Sequence, residues 1–238
     1  MNDRPGTLRL AHRGDSRVAP ENTLAALLAA TRIPGCDGVE FDVRASADRV
    51  PVVIHDTTLA RVQGRLEAVN HLTARQLEDL GVPTLEETLA LLPRRAFLDV
   101  ELKEDVGPGV VAILAGGRGP DLGRTVVSSF DLAVIRRIRS LAPGWPCWLN
   151  TYDLSADVIG AAVHHGCRGV AAEWHAITHP MVTEVRRNDL QLSAFTVRRR
   201  PTYNRLARLG VAAICAEGPA LDGNQEAATA AAGIAVRV

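Results

Sequence analysis

The chain has 238 residues, 47% of them apolar, and its 27 basic and 27 acidic side chains cancel. Balanced charge argues against nucleic acid or an anionic bilayer as the main partner, while leaving room for a local basic pocket. No run approaches the roughly 20 apolar residues of a membrane span. The opening MNDRPGTLRLAHRG carries no apolar leader, so no stable membrane insertion and a cytoplasmic location are expected.

The basic residues include a single lysine, Lys103, against a background of arginine. The two cations differ in geometry and hydration, which makes that lysine worth following. Cys36, Cys147, Cys167 and Cys215 show no close pairing and read as reduced, mostly buried small hydrophobes. The oligomeric state leaves no mark in the composition.

In chain order, β-rich runs are expected at 8–12, 39–43, 51–55, 97–101, 125–129, 146–150, 169–173, 192–197 and 212–216. Amphipathic helical patterns fall between most of them, among them 23–31, 85–92, 131–141, 157–165, 180–188 and 201–209. Such alternation implies a parallel sheet covered by helices. Eight strands close a (β/α)₈ barrel, and at 238 residues the length suits one such domain, 1–238.

The ninth run, 51–55, is the odd one out. Only residues 44–50 connect it to the preceding strand, too few for a parallel crossover. It is therefore placed in an insertion at the rim, after the second barrel strand, over approximately residues 45–82. Thr73 reads as the cap of a short helix there, and Thr84 as the cap where the chain rejoins the barrel. No second hydrophobic core and no internal repeat are expected. The alanine-rich 225–238 reads as the last barrel helix or a frayed tail.

Several strands end in polar residues that a buried strand would not ordinarily carry: His12-Arg13-Gly14, Glu40-Phe41-Asp42, His55-Asp56 and Asp99-Val100-Glu101-Leu102-Lys103. Active sites of such barrels lie at the C-terminal strand ends. Residues two apart on a strand share a face, so Glu40 pairs with Asp42, and Asp99 with Glu101 and Lys103. Crowded inward carboxylates repel unless neutralised, and a hard divalent cation, Mg²⁺ or Ca²⁺, is suited to oxygen ligands. Taken singly, a carboxylate pair is usually a solvated face and a lone histidine a hydrogen-bonded structural residue. Acids from separate strands, with two histidines and the one lysine at matching ends, are better explained as one site.

These residues, with Pro20-Glu21-Asn22-Thr23, resemble the glycerophosphodiester phosphodiesterases in order and spacing over the first 103 positions. Weaker likeness continues through Pro83-Thr84-Leu85-Glu86-Glu87, Ser129-Phe130-Asp131 and Phe195-Thr196-Val197. The resemblance implies a TIM barrel with a small insertion after the second strand. It also implies metal-dependent hydrolysis of glycerophosphodiesters to glycerol 3-phosphate and an alcohol. Glu40, Asp42 and Glu101 would hold the metal, Arg13 and Lys103 would cradle the phosphodiester, and His12 and His55 would be base and acid. Which histidine does which job, and whether water or the glycerol hydroxyl attacks, stay open. Phe195 stands where the family usually has tryptophan, as an aromatic wall for the glycerol carbons or a core residue.

Two further features depart from the pattern. Ala216-Glu217-Gly218-Pro219 replaces the usual threonine–aspartate–x–proline, and Arg198-Arg199-Arg200 follows the Phe195 motif. That arginine run reads as a solvated cluster or as a contact for an acidic group. The alternatives are a related barrel enzyme acting on lysophospholipids and a non-catalytic barrel that binds a phosphoester.

Overall fold

The wall of the molecule is eight parallel strands. They are β1 (Leu8–His12), β2 (Gly38–Ala45), β4 (Phe97–Leu102), β5 (Thr125–Ser129), β6 (Cys147–Thr151), β7 (Gly169–Glu173), β8 (Gln191–Val197) and β9 (Ala213–Ala216). The ring closes because β1 pairs with both β2 and β9. This structure, a computed structural model, describes residues 6–223. The barrel expected from the sequence is the one that forms, while 225–238 lies outside the described residues.

Strand alternation sorts the core into layers. Leu98, Val100, Val127, Leu149, Val170 and Ile214 face outward into the main cluster beneath the helices. Leu10, Val126, Trp148, Ala171, Ala213 and Cys215 fill the barrel interior. The surrounding helices are α1 (Leu24–Ala30), α3 (Leu85–Leu91), α4 (Gly109–Arg118), α5 (Leu132–Leu141), α6 (Ala156–His164), α7 (His179–Arg187) and α8 (Arg200–Leu209). Thr23 caps α1 and Thr84 caps α3, the latter with a full capping box through Glu87. Helix α4 was not among the helical patterns read from sequence, because Gly109, Gly116 and Gly117 weaken its signal. One of those glycines has a packing reason: a Cβ on Gly117 would sit 2.8 Å from Leu89 Cδ1 of α3.

The remaining strand, β3 (Pro51–Val53), pairs antiparallel with β2, with Ala45 opposite Pro51 and Val43 opposite Val53. It therefore belongs to the rim excursion and not to the wall. The hairpin also carries the chain back down, so that Ile54 N–H donates to Asp42 O at 3.0 Å. His55 follows that bond, past the end of the strand and at the level of Asp42. The excursion includes α2 (Ala74–Glu78), capped by Thr73. One expectation is corrected here. Val52, Ile54, Leu59, Val69, Ala74, Leu77 and Val82 form a separate small hydrophobic cluster beneath the excursion. Long rim segments need their own apolar anchor, and helix periodicity does not reveal one spread over short irregular pieces.

Candidate active site

Register alone builds the acid cluster. Glu40 of β2 lies beside His12 of β1 and Asp99 of β4, and Asp42 lies beside Glu101. One carboxylate oxygen from each of Glu40, Asp42 and Glu101 falls within 4.8 Å of the others, and all three side chains are buried. These are the three acids singled out from sequence.

The loop after β1 folds over them. Arg13 adopts a left-handed conformation (φ 57°), and Gly14 must follow it, since a Cβ there would lie 2.5 Å from the Ala26 backbone. This turn aims Arg13 Nε at Asp42 Oδ2 (3.0 Å) and its backbone N–H at Glu40 Oε2 (3.2 Å). Asn22, also left-handed (φ 59°), donates from Nδ2 to Asp42 Oδ2 at 2.8 Å. Lys103 Nζ reaches Asp42 Oδ1 at 3.0 Å and also pairs with Glu101. Arg13 and Lys103 thus sit on the carboxylates, forming one compact charge cluster.

That cluster is not balanced at every acid. Burial, then the charges of Asp42, Glu101 and Asp99, push the Glu40 carboxyl well above its ordinary range. Glu40 Oε1 is buried and has no hydrogen-bond partner among the described residues. Burial also raises Glu101, helped by Asp42. At Asp42 burial acts the same way, but Lys103 and Arg13 more than offset it and its pKa is lowered. Asp99, deeper in the barrel, is pushed up to about 7 by burial although Ser128 Oγ donates to it at 2.6 Å.

The two histidines flank this cluster, each held through Nδ1. His12 Nδ1 lies 2.5 Å from Glu217 Oε1, whose other oxygen accepts from Arg198 Nε at 2.7 Å. His55 Nδ1 lies 2.6 Å from Asp56 Oδ1, whose other oxygen accepts from Arg61 Nε at 2.7 Å. Arg61 also grips Glu21, which accepts from Arg13 Nη1 at 2.8 Å, so one ion-pair chain runs from His55 to Asp42. Burial is the largest influence on His55 and holds its pKa below the usual value, against the pull of Asp42 and Asp56. Glu217 is pushed up by burial, yet the contacts with His12 and Arg198 bring it down to about 2.

The opposite half of the mouth carries an aromatic wall, with the Glu173–His175 pair beyond it. Phe130 stacks on Tyr152 (centroids 4.8 Å apart), and Phe195 meets both edge-on at 5.7 and 6.0 Å. The three rings, both histidines, Arg13, Lys103, Glu40 and Glu101 border one cavity of about 670 Å³, a size ordinary for a small-molecule site.

Residues 12–221 match the glycerophosphoryl diester phosphodiesterase family. The chain belongs to this family. A glycerophosphodiester phosphodiesterase of Caldanaerobacter subterraneus subsp. tengcongensis is 29% identical over 231 residues, spanning 90% of this chain and 95% of its own. The crystal structure of glycerophosphodiester phosphodiesterase from Agrobacterium tumefaciens aligns with a TM-score of 0.75 at 27% identity, covering 90% of this chain and 98% of that one. An Oleispira antarctica phosphodiesterase, solved in complex with the product sn-glycerol-3-phosphate, shares the fold with a TM-score of 0.80 at 24% identity, covering 89% and 93%.

Within the family frame, the structure brings every residue picked out from sequence to the cavity or its rim. Sequence reasoning assigned no role to Glu217, Asp56, Glu21 or Arg61, which tether the histidines and Arg13, while Asn22, read there as a helix cap or a support of the phosphate site, binds Asp42. Asp56 adjoins His55 and Glu21 lies in the Pro20–Thr23 motif, so both could have been suspected. Nothing in the sequence marks Arg61. Of the arginine run, Arg198 binds Glu217 and Arg199 borders the cavity, while Arg200 begins α8 on the exposed side. No helix among the described residues is long and apolar enough to cross a membrane.

Proposed function

We propose that this phosphodiesterase hydrolyses glycerophosphodiesters to glycerol 3-phosphate and an alcohol, with a divalent cation and two histidines. The observation that carries the reading is the buried group of Glu40, Asp42 and Glu101 between two tethered histidines. The carboxylates fit a hard cation: they offer oxygen only, they are crowded enough that Glu40 is driven toward its neutral form, and Glu40 Oε1 lacks a donor. When bound, Mg²⁺ or Ca²⁺ would offset negative charge developing on the phosphate oxygens.

The chain's own residues do the rest. Arg13 and Lys103 orient the phosphodiester through charge-assisted hydrogen bonds. Each histidine presents Nδ1 to a carboxylate, which fixes the tautomer and leaves Nε2 to exchange protons. The family resemblance gives His12 and His55 as base and acid without fixing which does which. The lowered pKa of His55 favours its neutral form, so we assign the roles: His55 accepts the proton of the attacking hydroxyl, and His12 returns one to the departing oxygen.

The test is turnover of glycerophosphocholine, glycerophosphoethanolamine and lysophosphatidylcholine, with and without EDTA. EDTA-sensitive turnover of the first two is expected. EDTA-insensitive turnover sinks the cation assignment, and phosphoester binding without turnover supports the non-catalytic reading. A second reading, lysophospholipid hydrolysis, draws on the exposed Phe130 and Tyr152 beside an open groove that also includes Leu132. Preference for lysophosphatidylcholine would select it.

A further inference from the structure

The reaction as proposed uses β1, β2, β4, β9 and the rim hairpin, and among the cavity's other polar side chains Asn150 is the one that is buried with an unpartnered atom. Asn150, near the end of β6, borders the cavity and is only 6% exposed. Its side-chain amide makes no hydrogen bond among the described residues, and Oδ1 is buried without a partner. A buried amide left unpaired is costly, and native structures rarely keep one without a use. Its register neighbour on β7 is Ala171, whose methyl side chain keeps the space beside the amide open. Above it stands the wall of Phe130, Tyr152 and Phe195.

Position decides what this amide can meet. In the ring order β1-β2-β4-β5-β6-β7-β8-β9, β6 lies across the barrel from β1, which bears His12, and two places from β4, which bears Glu101. Asn150 is uncharged, and the cations that sit on the acid cluster, Arg13 and Lys103, follow β1 and β4, with Lys103 Nζ also 5.8 Å from the Phe130 ring centroid. A phosphodiester seated there extends its carbon arms toward β5–β8. An amide that both donates and accepts, beneath aromatic faces that suit C–H groups, matches a hydroxyl carried on a short carbon chain.

We infer that Asn150 is a substrate-binding residue: its amide hydrogen-bonds a hydroxyl on one of the two alcohol arms, whose carbons lie against Phe130, Tyr152 and Phe195. The inference rests on the phosphodiesterase reading. The same chemistry can come from the glycerol arm or from a hydroxyl-bearing leaving alcohol.

The experiment measures kcat/KM of wild type and Asn150→Leu on three diesters. Glycerophosphocholine has hydroxyls only on its glycerol arm, glycerophosphoglycerol has them on both, and bis(4-nitrophenyl) phosphate has none. Loss of one neutral hydrogen bond predicts a fall of about three- to tenfold on the hydroxylated substrates and no fall on the third. A fall on both glycerol substrates assigns the glycerol arm, and a fall confined to glycerophosphoglycerol assigns the leaving alcohol. Equal change on all three, or none, overturns the inference and leaves a buried water as the partner of Asn150. Wild-type turnover of none of the three would instead overturn the phosphodiesterase reading. Ser193→Ala is the matched control, because Ser193 Oγ is also buried and unpaired but does not border the cavity. If Asn150→Leu does not fold, Asn150→Ala is judged by the same ratios.

Discussion

The two halves of the barrel mouth are built on opposite principles. The half made by β1, β2, β4 and the β3 hairpin is charged, buried and tied together by ion pairs, with Glu40 Oε1 left without a donor. The half made by β5 to β8 is aromatic and more open, its charge confined to Glu173, which pairs with His175, and to the arginines after β8, with Tyr152 72% exposed and Asn150 unpaired. Preorganised charge is where rate enhancement resides, since fixed groups need no rearrangement as charge develops. A looser aromatic surface can hold an alcohol arm without fixing its identity. The contrast assigns chemistry to one half and selection to the other.

The strongest challenge to that division strikes the charged half. Chelation should abolish turnover, and restoring Mg²⁺ or Ca²⁺ should recover it. At a free ion concentration near 100 times Kd, the protein should also gain about 2.7 kcal/mol of stability, read as a rise in melting temperature. His12→Ala and His55→Ala should each lower kcat by about 10²- to 10⁴-fold while the melting temperature stays close to wild type. Near-normal turnover by either variant removes that residue from the proton-transfer pair.

Smaller changes test how the histidines are held. Glu217→Gln keeps the size of the side chain but removes its charge beside His12 and Arg198, and should lower kcat about tenfold with KM little changed. A change confined to KM would make Glu217 a substrate contact instead. The pH profile adds a sign. Burial depresses the pKa of His55, so its neutral form persists to lower pH than a free imidazole's. Turnover should hold as pH falls through 6.5 and decline only below it, and the stability linked to His55 should be lost on that same acid side. An acid limb above 6.5 contradicts the base assignment.

How much of this could be read in advance follows from which interactions are local. Glu40 with Asp42, and Asp99 with Glu101 and Lys103, were legible because period-two alternation fixes their common face. Asn150 obeys the same rule, two residues beyond interior Trp148, yet a single amide does not stand out as four acids do. The place of His55 was legible only in part. A short connection excluded it from the wall, but the antiparallel return to the level of Asp42 depends on how the hairpin packs. The pairing of Arg61 with Glu21 spans 40 residues and has no local signature. Helix α4 was hidden because the glycine that lets it approach Leu89 also weakens helix propensity.

The smallest predicted effect is the one that most cleanly separates the halves. Tyr152 stacks on Phe130 and touches Phe195 edge-on, but it forms no bond with His12, His55 or any of the four acids. Aromatic contacts of this kind contribute about 0.5–1.5 kcal/mol beyond their buried area. Tyr152→Ala should therefore raise KM by about two- to tenfold, leave kcat unchanged, and leave stability nearly so because the ring is mostly in solvent. The effect should grow with the apolar content of the leaving alcohol, so lysophosphatidylcholine should suffer more than glycerophosphoethanolamine. A fall in kcat comparable to that of the histidine variants would mean that the aromatic half takes part in the chemistry, and the division between the two halves would not hold.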